Sequence, residues 1–281
     1  MIAPNILESI IDSALAEDLS GGDLTTEATV SKDSRALARA LAKSSMVVCG
    51  GDVFAAVMFR LDRGLRVERL VEDGTAVQPG TELWHVEGST RSILMAERTA
   101  LNFVQRLSGI ATQAHRYQSA VPAGSKTRIT DTRKTTPGLR ALERYAVRCG
   151  GAFNHRNDLG SAVLIKDNHL EAAGGITEAV TRARLRAPHT CKVEVEVETL
   201  AMLDEALAVG ADIIMLDNFA PAELAVACER AKGRALLEVS GGITLERVAE
   251  LGRLGVDLVS VGALTHSVVA ADISLNIERL G

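Results

Sequence analysis

The chain has 281 residues, 47% hydrophobic and 24% charged, with a formal net charge of -5. That is an ordinary globular composition, long enough for one large domain or two smaller ones. The acidic balance excludes a global attraction to nucleic acid or to an anionic membrane, so any anion site must be a local cluster of cations. In chain order, the N-terminus MIAPNILESIIDSALAEDLS mixes acids into a short amphipathic run and lacks a secretory pattern. Residues 6–16 have helical periodicity, with Ile6, Leu7, Ile10, Ile11 and Leu15 on one face. EDLSGGDLTTE (17–27) reads as a polar loop. Residues 36–42 and 46–49 read as strands before Gly50-Gly51, and 53–61 as a short helix. Residues 65–86 read as strand–turn–strand, with EDGTAVQPG (72–80) supplying the turns. That segment echoes the tip of a lipoyl or biotinyl carrier, but it has no lysine to carry the group, so the echo is structural. Residues 93–109 form a long predicted helix with Leu94, Leu101, Val104 and Leu107 on its buried face and Arg98 and Arg106 left over on a solvated one.

From about residue 128 the pattern changes. Short aliphatic runs (AVLIKD, KVEVEVE, ADIIMLDN, ALLEVSGG, VDLVSVG) alternate with helical patterns at 177–185, 199–209, 221–232 and 244–254. A repeated strand–helix unit is the signature of a parallel sheet. AGGITEAV (173–180) echoes SGGITLERV (240–248), and VGADIIMLD (209–217) echoes LGVDLVSVG (254–262), which favours closure into a barrel. No Gly-x-Gly-x-x-Gly turn follows the first strand, which weighs against a dinucleotide-binding fold. No window approaches the roughly 20 apolar residues of a membrane span. Cys49, Cys149, Cys191 and Cys228 show no CxxC spacing, so neither a zinc site nor a disulfide framework is expected, and the compartment is read as reducing and cytoplasmic.

In a parallel barrel the reacting groups sit at the C-terminal ends of the strands. Here those ends are polar almost throughout. The first strand runs into DTRKTTPG (131–138), where Arg133 and Lys134 stand among three threonines able to complete an anion shell. The next ends in Lys166-Asp167-Asn168-His169; another carries Glu194 and Glu196; the following pair end in Asp217-Asn218 and, after Glu238, in Ser240-Gly241-Gly242; the last ends in Gly262. Arg133, Lys134, His155, Arg156 and Lys166 would form a cationic cup. Glu196 and Asp217 would form an acidic pair, suited to Mg²⁺ bound together with substrate phosphate or to ribose hydroxyls. A glycosidase pair is the rival, but a neutral sugar needs no surrounding cations. The late glycines at 241 and 262 let backbone amides approach a phosphate. No serine or cysteine stands in a nucleophile setting, so group transfer by positioning and electrostatics is expected.

DTRKTTPG, followed by NHR and KDNH, is a specific combination. With EDLSGGDLTTE, ERTALNFVQRLSGIAT, KVEVEVET, IIMLDNF, EVSGGI and SVGALTHS in the same order over nearly the whole chain, it resembles the quinolinate phosphoribosyltransferase family. The resemblance implies an incomplete α/β barrel (114–269) and a smaller α/β N-terminal domain (1–113) that also takes in the C-terminal helix (270–281). It implies a homodimer, open to higher assembly, and conversion of quinolinate and phosphoribosyl pyrophosphate to nicotinate mononucleotide, pyrophosphate and CO₂ with Mg²⁺. By matching position, Arg133, His155, Arg156 and Lys166 would hold the quinolinate carboxylates, and Lys134 would face quinolinate or the pyrophosphate. Arg98 would come from the neighbouring subunit. Glu196 and Asp217 would sit at the ribose and metal, directly or through substrate, and Ser240, Gly241 and Gly262 would take the 5′-phosphate. The segment HRNDLGS (155–161) departs from the HR-x-GL-x-D of many members and resembles the animal form. Alternatives are a molybdenum-transport-associated paralogue, a non-catalytic phosphate-ligand sensor, nicotinate as acceptor, and an aldolase using Lys166 as a Schiff base.

Overall fold

The computed structural model describes residues 2–280. They fall into two compact units: Met1–His115 with Thr135–Gly151 and Leu264–Gly281, and Arg116–Lys134 with Ala152–Ala263. The first unit begins with α1 (Pro4–Asp18), where Pro4 supplies a preset φ in the first turn and Ile11 and Leu15 are the buried positions. The polar loop expected at 17–27 is in part a helix, α2 (Leu24–Thr29). Asp23 caps it by accepting the Thr26 amide at 2.9 Å, a short-range signal that outweighs the surrounding glycines and threonines.

β1 (Arg35–Ala42) alternates, with Ala36, Ala38, Ala40 and Ala42 fully buried. β2 (Met46–Val47) leads into α3 (Gly51–Leu61), and the amides of Gly50 and Gly51 at that helix start both donate to the Asp73 carboxylate. β3 (Arg66–Arg69), β4 (Ala76–Val77) and β5 (Glu82–Ser89) follow. Phe54 of α3 stacks on Trp84 of β5 with centroids 4.8 Å apart. α4 (Thr90–Ser119) is 30 residues long and buries Ile93, Ala96, Ala100, Val104 and Leu107 at helical spacing. It runs on past the stop expected at Gly109. That glycine is needed for packing: a Cβ there would overlap the Val269 carbonyl oxygen.

β6 (Arg128–Thr130) opens the second unit, and α5 (Arg140–Cys149), not expected from the sequence, returns to the first. The second unit then alternates strand and helix. β7 (Val163–Ile165) is followed by α6 (Asp167–Ala173) and α7 (Ile176–Arg186), and β8 (Val193–Val197) by α8 (Leu200–Ala208). β9 (Ile213–Asp217) leads to α9 (Pro221–Ala231), β10 (Leu236–Ser240) to α10 (Leu245–Leu254), and β11 (Leu258–Ser260) comes last. Thr199 and Thr244 cap α8 and α10 by accepting the amides of Met202 and Arg247.

The six strands form one parallel sheet in the order β6-β11-β10-β9-β8-β7. The first strand thus lies beside the last, as in a barrel and unlike an open doubly wound sheet. On its other side β6 makes a single bridge, Thr130 to Phe153, so the ring is left incomplete between Phe153 and β7. The two faces differ. Val193, Val195, Ile214, Leu216, Leu237, Val239 and Val259 form the aliphatic face. The alternate positions carry Thr130, Lys166, Glu194, Glu196, Asp217, Glu238, Ser240 and Ser260.

α11 (Ala263–His266) and β12 (Ile273–Leu280) end the chain. The C-terminal segment is therefore a strand where a helix was expected. Ile273, Leu275 and Ile277 alternate with Ser274, Asn276 and Glu278, which is strand periodicity, and all eight residues pair antiparallel with β1. The resulting sheet of the first unit has the order β12-β1-β5-β3. Among the described residues no helix is long and apolar enough to cross a membrane.

Candidate active site

The site is assembled on the polar face of the second unit's sheet. Asp131, just past β6, is fully buried, and it organises the backbone around it. Its Oδ1 accepts the His155 amide at 2.8 Å and its Oδ2 accepts Asn154 Nδ2 at 2.6 Å. The Asp131 amide in turn donates to the Phe153 carbonyl at 3.1 Å. The DTRK and NHR segments are thereby stitched side by side. Arg133 lies close enough to Arg156 for the two charges to repel: burial first, and the Arg133 charge second, hold the Arg156 guanidinium below its ordinary pKa. Two half-buried guanidiniums within electrostatic reach of each other favour an anion beside them.

Lys166, at the end of β7, forms an ion pair with Glu196 on the adjacent strand β8. The expected cup and the expected acidic pair are thus joined. Asp217 ends β9 in register with Ser240 of β10. Asn218, beside it, holds the left-handed conformation (φ 57°) and donates to the Asp217 carboxylate at 3.0 Å. Gly241 has φ 89°, and a Cβ there would come within 3.2 Å of Asp217 Oδ1, so a side chain at 241 would crowd the acid. Gly262 follows β11 and precedes α11, at the neighbouring strand end. Lys134 is exposed, while Arg133, His155, Arg156, Lys166, Glu196, Asp217, Ser240 and Gly241 are all half-buried. Arg98 lies on an exposed position of α4 in the first unit.

His155 has acidic partners of its own. Its Nε2 points at two buried carboxylates, Glu194 at 3.2 Å and Glu238 at 3.4 Å. Burial alone would lower its pKa, but the approach of the Glu194 and Glu238 carboxylates and their charges raise it to about 10. Burial pushes the Glu194 carboxyl up, opposed by its contact with His155. The Arg156 amide also lies 2.7 Å from His155 Nδ1, a geometry that suits a neutral ring. We nevertheless assign an imidazolium, because a neutral ring would remove the cation that lies against both buried carboxylates, while an amide contact between adjacent residues is imposed by the backbone. Thr130 and Ser260, paired across β6 and β11, add two buried hydroxyls to the same face.

The threonines of DTRKTTPG each have a partner within the protein. Thr132 Oγ1 accepts the Lys134 amide at 3.1 Å in the second unit. In the first unit, Thr135 Oγ1 accepts from Arg140 and Thr136 Oγ1 from Arg106. Arg106 is no solvated leftover either. It donates to the fully buried Glu143 at 2.6 Å, and Glu143 accepts the Thr136 amide at 3.1 Å. The loop HRNDLGS is held by Ser161 Oγ, which accepts the amides of Asn157 and Asp158 at 2.9 and 3.2 Å. Arg156 donates to the Ala162 carbonyl at 3.1 Å.

Asp131, Glu194 and Glu238 are the residues that sequence reasoning left without a role. VEVEVE contained a usable signal: parallel strands buried on both faces are near-continuous aliphatic runs, and acids at every second position break that rule. Among the described residues two groups of three side chains that could ligate a metal lie within 4.8 Å of one another, His155–Glu194–Glu238 and Cys49–Asp73–Cys149, and Glu196 and Asp217 belong to neither. In the second group Asp73 is engaged by Gly50, Gly51 and Tyr145.

A parallel barrel with paired guanidiniums, a lysine–glutamate pair and an aspartate beside glycines at its strand ends defines an anion-handling α/β-barrel protein. Comparison with known proteins makes the class specific. The models for the quinolinate phosphoribosyl transferase N-terminal and C-terminal domains match residues 23–108 and 110–276. The nicotinate-nucleotide pyrophosphorylase [carboxylating] of Mycobacterium leprae is 46% identical over 274 residues, covering 95% of each chain. The human protein of that name is 38% identical over 99% of this chain and 93% of its own. The solved nicotinate-nucleotide pyrophosphorylase of Francisella tularensis superposes with a TM-score of 0.94 at 40% identity, covering 99% of this chain and 98% of that one. The chain belongs to the quinolinate phosphoribosyltransferase family.

Proposed function

We propose that the chain is a carboxylating nicotinate-nucleotide pyrophosphorylase of de novo NAD biosynthesis, converting quinolinate and phosphoribosyl pyrophosphate to nicotinate mononucleotide, pyrophosphate and CO₂. The observation that carries this reading is the convergence of Arg133, His155, Arg156 and Lys166 beside Glu196 and Asp217 in one unit. A pyridine with two adjacent carboxylates needs such a set, and a neutral sugar does not. Arg133, Arg156, His155 and Lys166 hold the carboxylates, with Lys134 at the rim. Ser240, Gly241 and Gly262 receive the 5′-phosphate.

The ring nitrogen of quinolinate attacks C1′ of the donor, and the C1′–O bond breaks with its electron pair leaving on pyrophosphate. Glu196 and Asp217 favour the positive charge that develops at the ribose. The nitrogen, now quaternary, stabilises by its positive charge the electron pair that stays on C2 when the C2–carboxylate bond breaks and CO₂ departs. A proton then adds at C2. Two carboxylates on neighbouring strands are a hard-oxygen pair, too few to cage Mg²⁺ alone but suited to one that arrives with a pyrophosphate. Glu196 and Asp217 would hold it, and it would neutralise charge on the leaving group.

The active assembly is a homodimer in which Arg98 serves the neighbouring subunit's site. Four free cysteines fit a cytoplasmic location. The test is release of CO₂ from carboxyl-labelled quinolinate, which should depend on phosphoribosyl pyrophosphate. Folded protein that releases none would overturn the assignment.

A further inference from the structure

Glu238 sits in the middle of β10, completely buried, and neither of its carboxylate oxygens has a hydrogen-bond partner among the described residues. Glu194 on β8 is 3% exposed, with one oxygen in the same condition. Packing does not call for acids here: the register neighbours of Glu238 on β9 and β11 are Met215 and Leu258. A buried carboxylate costs stability relative to an apolar residue of similar size, so its presence needs another reason. The charged group that both approach is His155 Nε2, at 3.2 Å from Glu194 and 3.4 Å from Glu238.

We propose that Glu238, together with Glu194, is a positioning residue for the acceptor: the two carboxylates anchor the His155 imidazole in the orientation that meets the pyridine dicarboxylate, and so set acceptor affinity without touching it. The inference rests on the function proposed above. His155 is tied at both ends, its amide to the buried Asp131 at 2.8 Å and its ring to the two glutamates. Such a ring loses little freedom on binding, which is how preorganisation raises affinity. The donor is assigned to Glu196 and Asp217 and not to His155, so its affinity should be indifferent to Glu238.

The test is calorimetric titration of quinolinate, and separately of phosphoribosyl pyrophosphate with Mg²⁺, into wild type, Glu238→Gln, His155→Gln and the double variant. Gln keeps the shape and removes the charge. Glu238→Gln should weaken quinolinate about tenfold, within the range for coupled neighbours, and leave donor affinity within about twofold. In the His155→Gln background it should add almost nothing. Glu194→Gln, read in the same way, replaces Glu238→Gln should that variant not fold. Unchanged quinolinate affinity in folded Glu238→Gln overturns the proposal. So does an equal loss for both ligands, or a tenfold loss that persists without His155. A wild-type protein that binds no quinolinate at all would instead overturn the functional reading, and this inference with it.

Discussion

His155 shows how much a single residue's role depends on what the fold places against it. In the sequence it is one of five cations; in the structure it is the counter-charge to two buried acids. Its pKa rises from 6.5 to about 10 on folding. A group whose folded pKa lies above its unfolded value contributes stability that is fully present below the unfolded pKa and lost as pH rises through the folded one. The stabilisation from His155 should therefore be complete below about pH 6.5 and decline towards pH 10. Urea unfolding of wild type and His155→Gln at pH 6.5 and at pH 10 checks this: the gap between them should shrink at the higher pH, and a constant gap would rule it out. Comparison with the variant cancels whatever other groups contribute equally to both proteins. At this scale the placement of Arg133, Lys166, Glu196 and Asp217 at or just past strand ends was legible, because the aliphatic runs of those strands are themselves legible. The coupling of His155 to Glu194 and Glu238 was not, because it needs the order β10-β9-β8 and the approach of residue 155 to that face, and no local pattern encodes either.

At the scale of elements, the strands and helices from β6 to β11 follow from short aliphatic runs and capped helical patterns and match expectation to within a few residues, α5 and α6 apart. The misses have local causes. α2 depends on one cap, Asp23. α4 runs on because Gly109 serves close packing where a stop was read. The C-terminal strand was misassigned although Ile273, Leu275 and Ile277 alternate, because the family resemblance took precedence over the periodicity. α5 was overlooked because its charges hide a buried pair: Glu143 is fully buried and bonded to Arg106, whose side chain is 31% exposed. Arg106→Met would leave Glu143 buried without its partner and should cost about 3 kcal/mol, the lower end of the range because the arginine is not fully desolvated. Replacing both, Arg106→Met with Glu143→Met, should recover most of that loss. Denaturant titration reads both values, and a single variant as stable as wild type would show that the pair carries no such weight.

At the scale of the whole molecule, Arg98 stands apart from the other cations of the proposed site, exposed on α4 and far in sequence from every strand end of the barrel. If each site takes Arg98 from the neighbouring subunit, Arg98→Ala and Arg133→Ala should each be inactive as homodimers. Subunit exchange between them should restore activity, because a mixed dimer then contains one site with both arginines intact. Mixing that restores nothing, under conditions where exchange is demonstrated by mass, would contradict the shared site. The barrel was legible from repetition of one strand–helix unit, whereas the way the N- and C-terminal segments share a sheet was not, since β1 and β12 are separated by most of the chain.

The measurement that bears most directly on the central claim is a comparison of acceptors. Purified protein is incubated with phosphoribosyl pyrophosphate, Mg²⁺ and either quinolinate or nicotinate, and nicotinate mononucleotide is followed over time. Arg133, His155, Arg156 and Lys166 are more positive charge than one carboxylate requires, so product should form from quinolinate and not from nicotinate. Product from nicotinate alone, or from neither acceptor with the protein folded, would contradict the account.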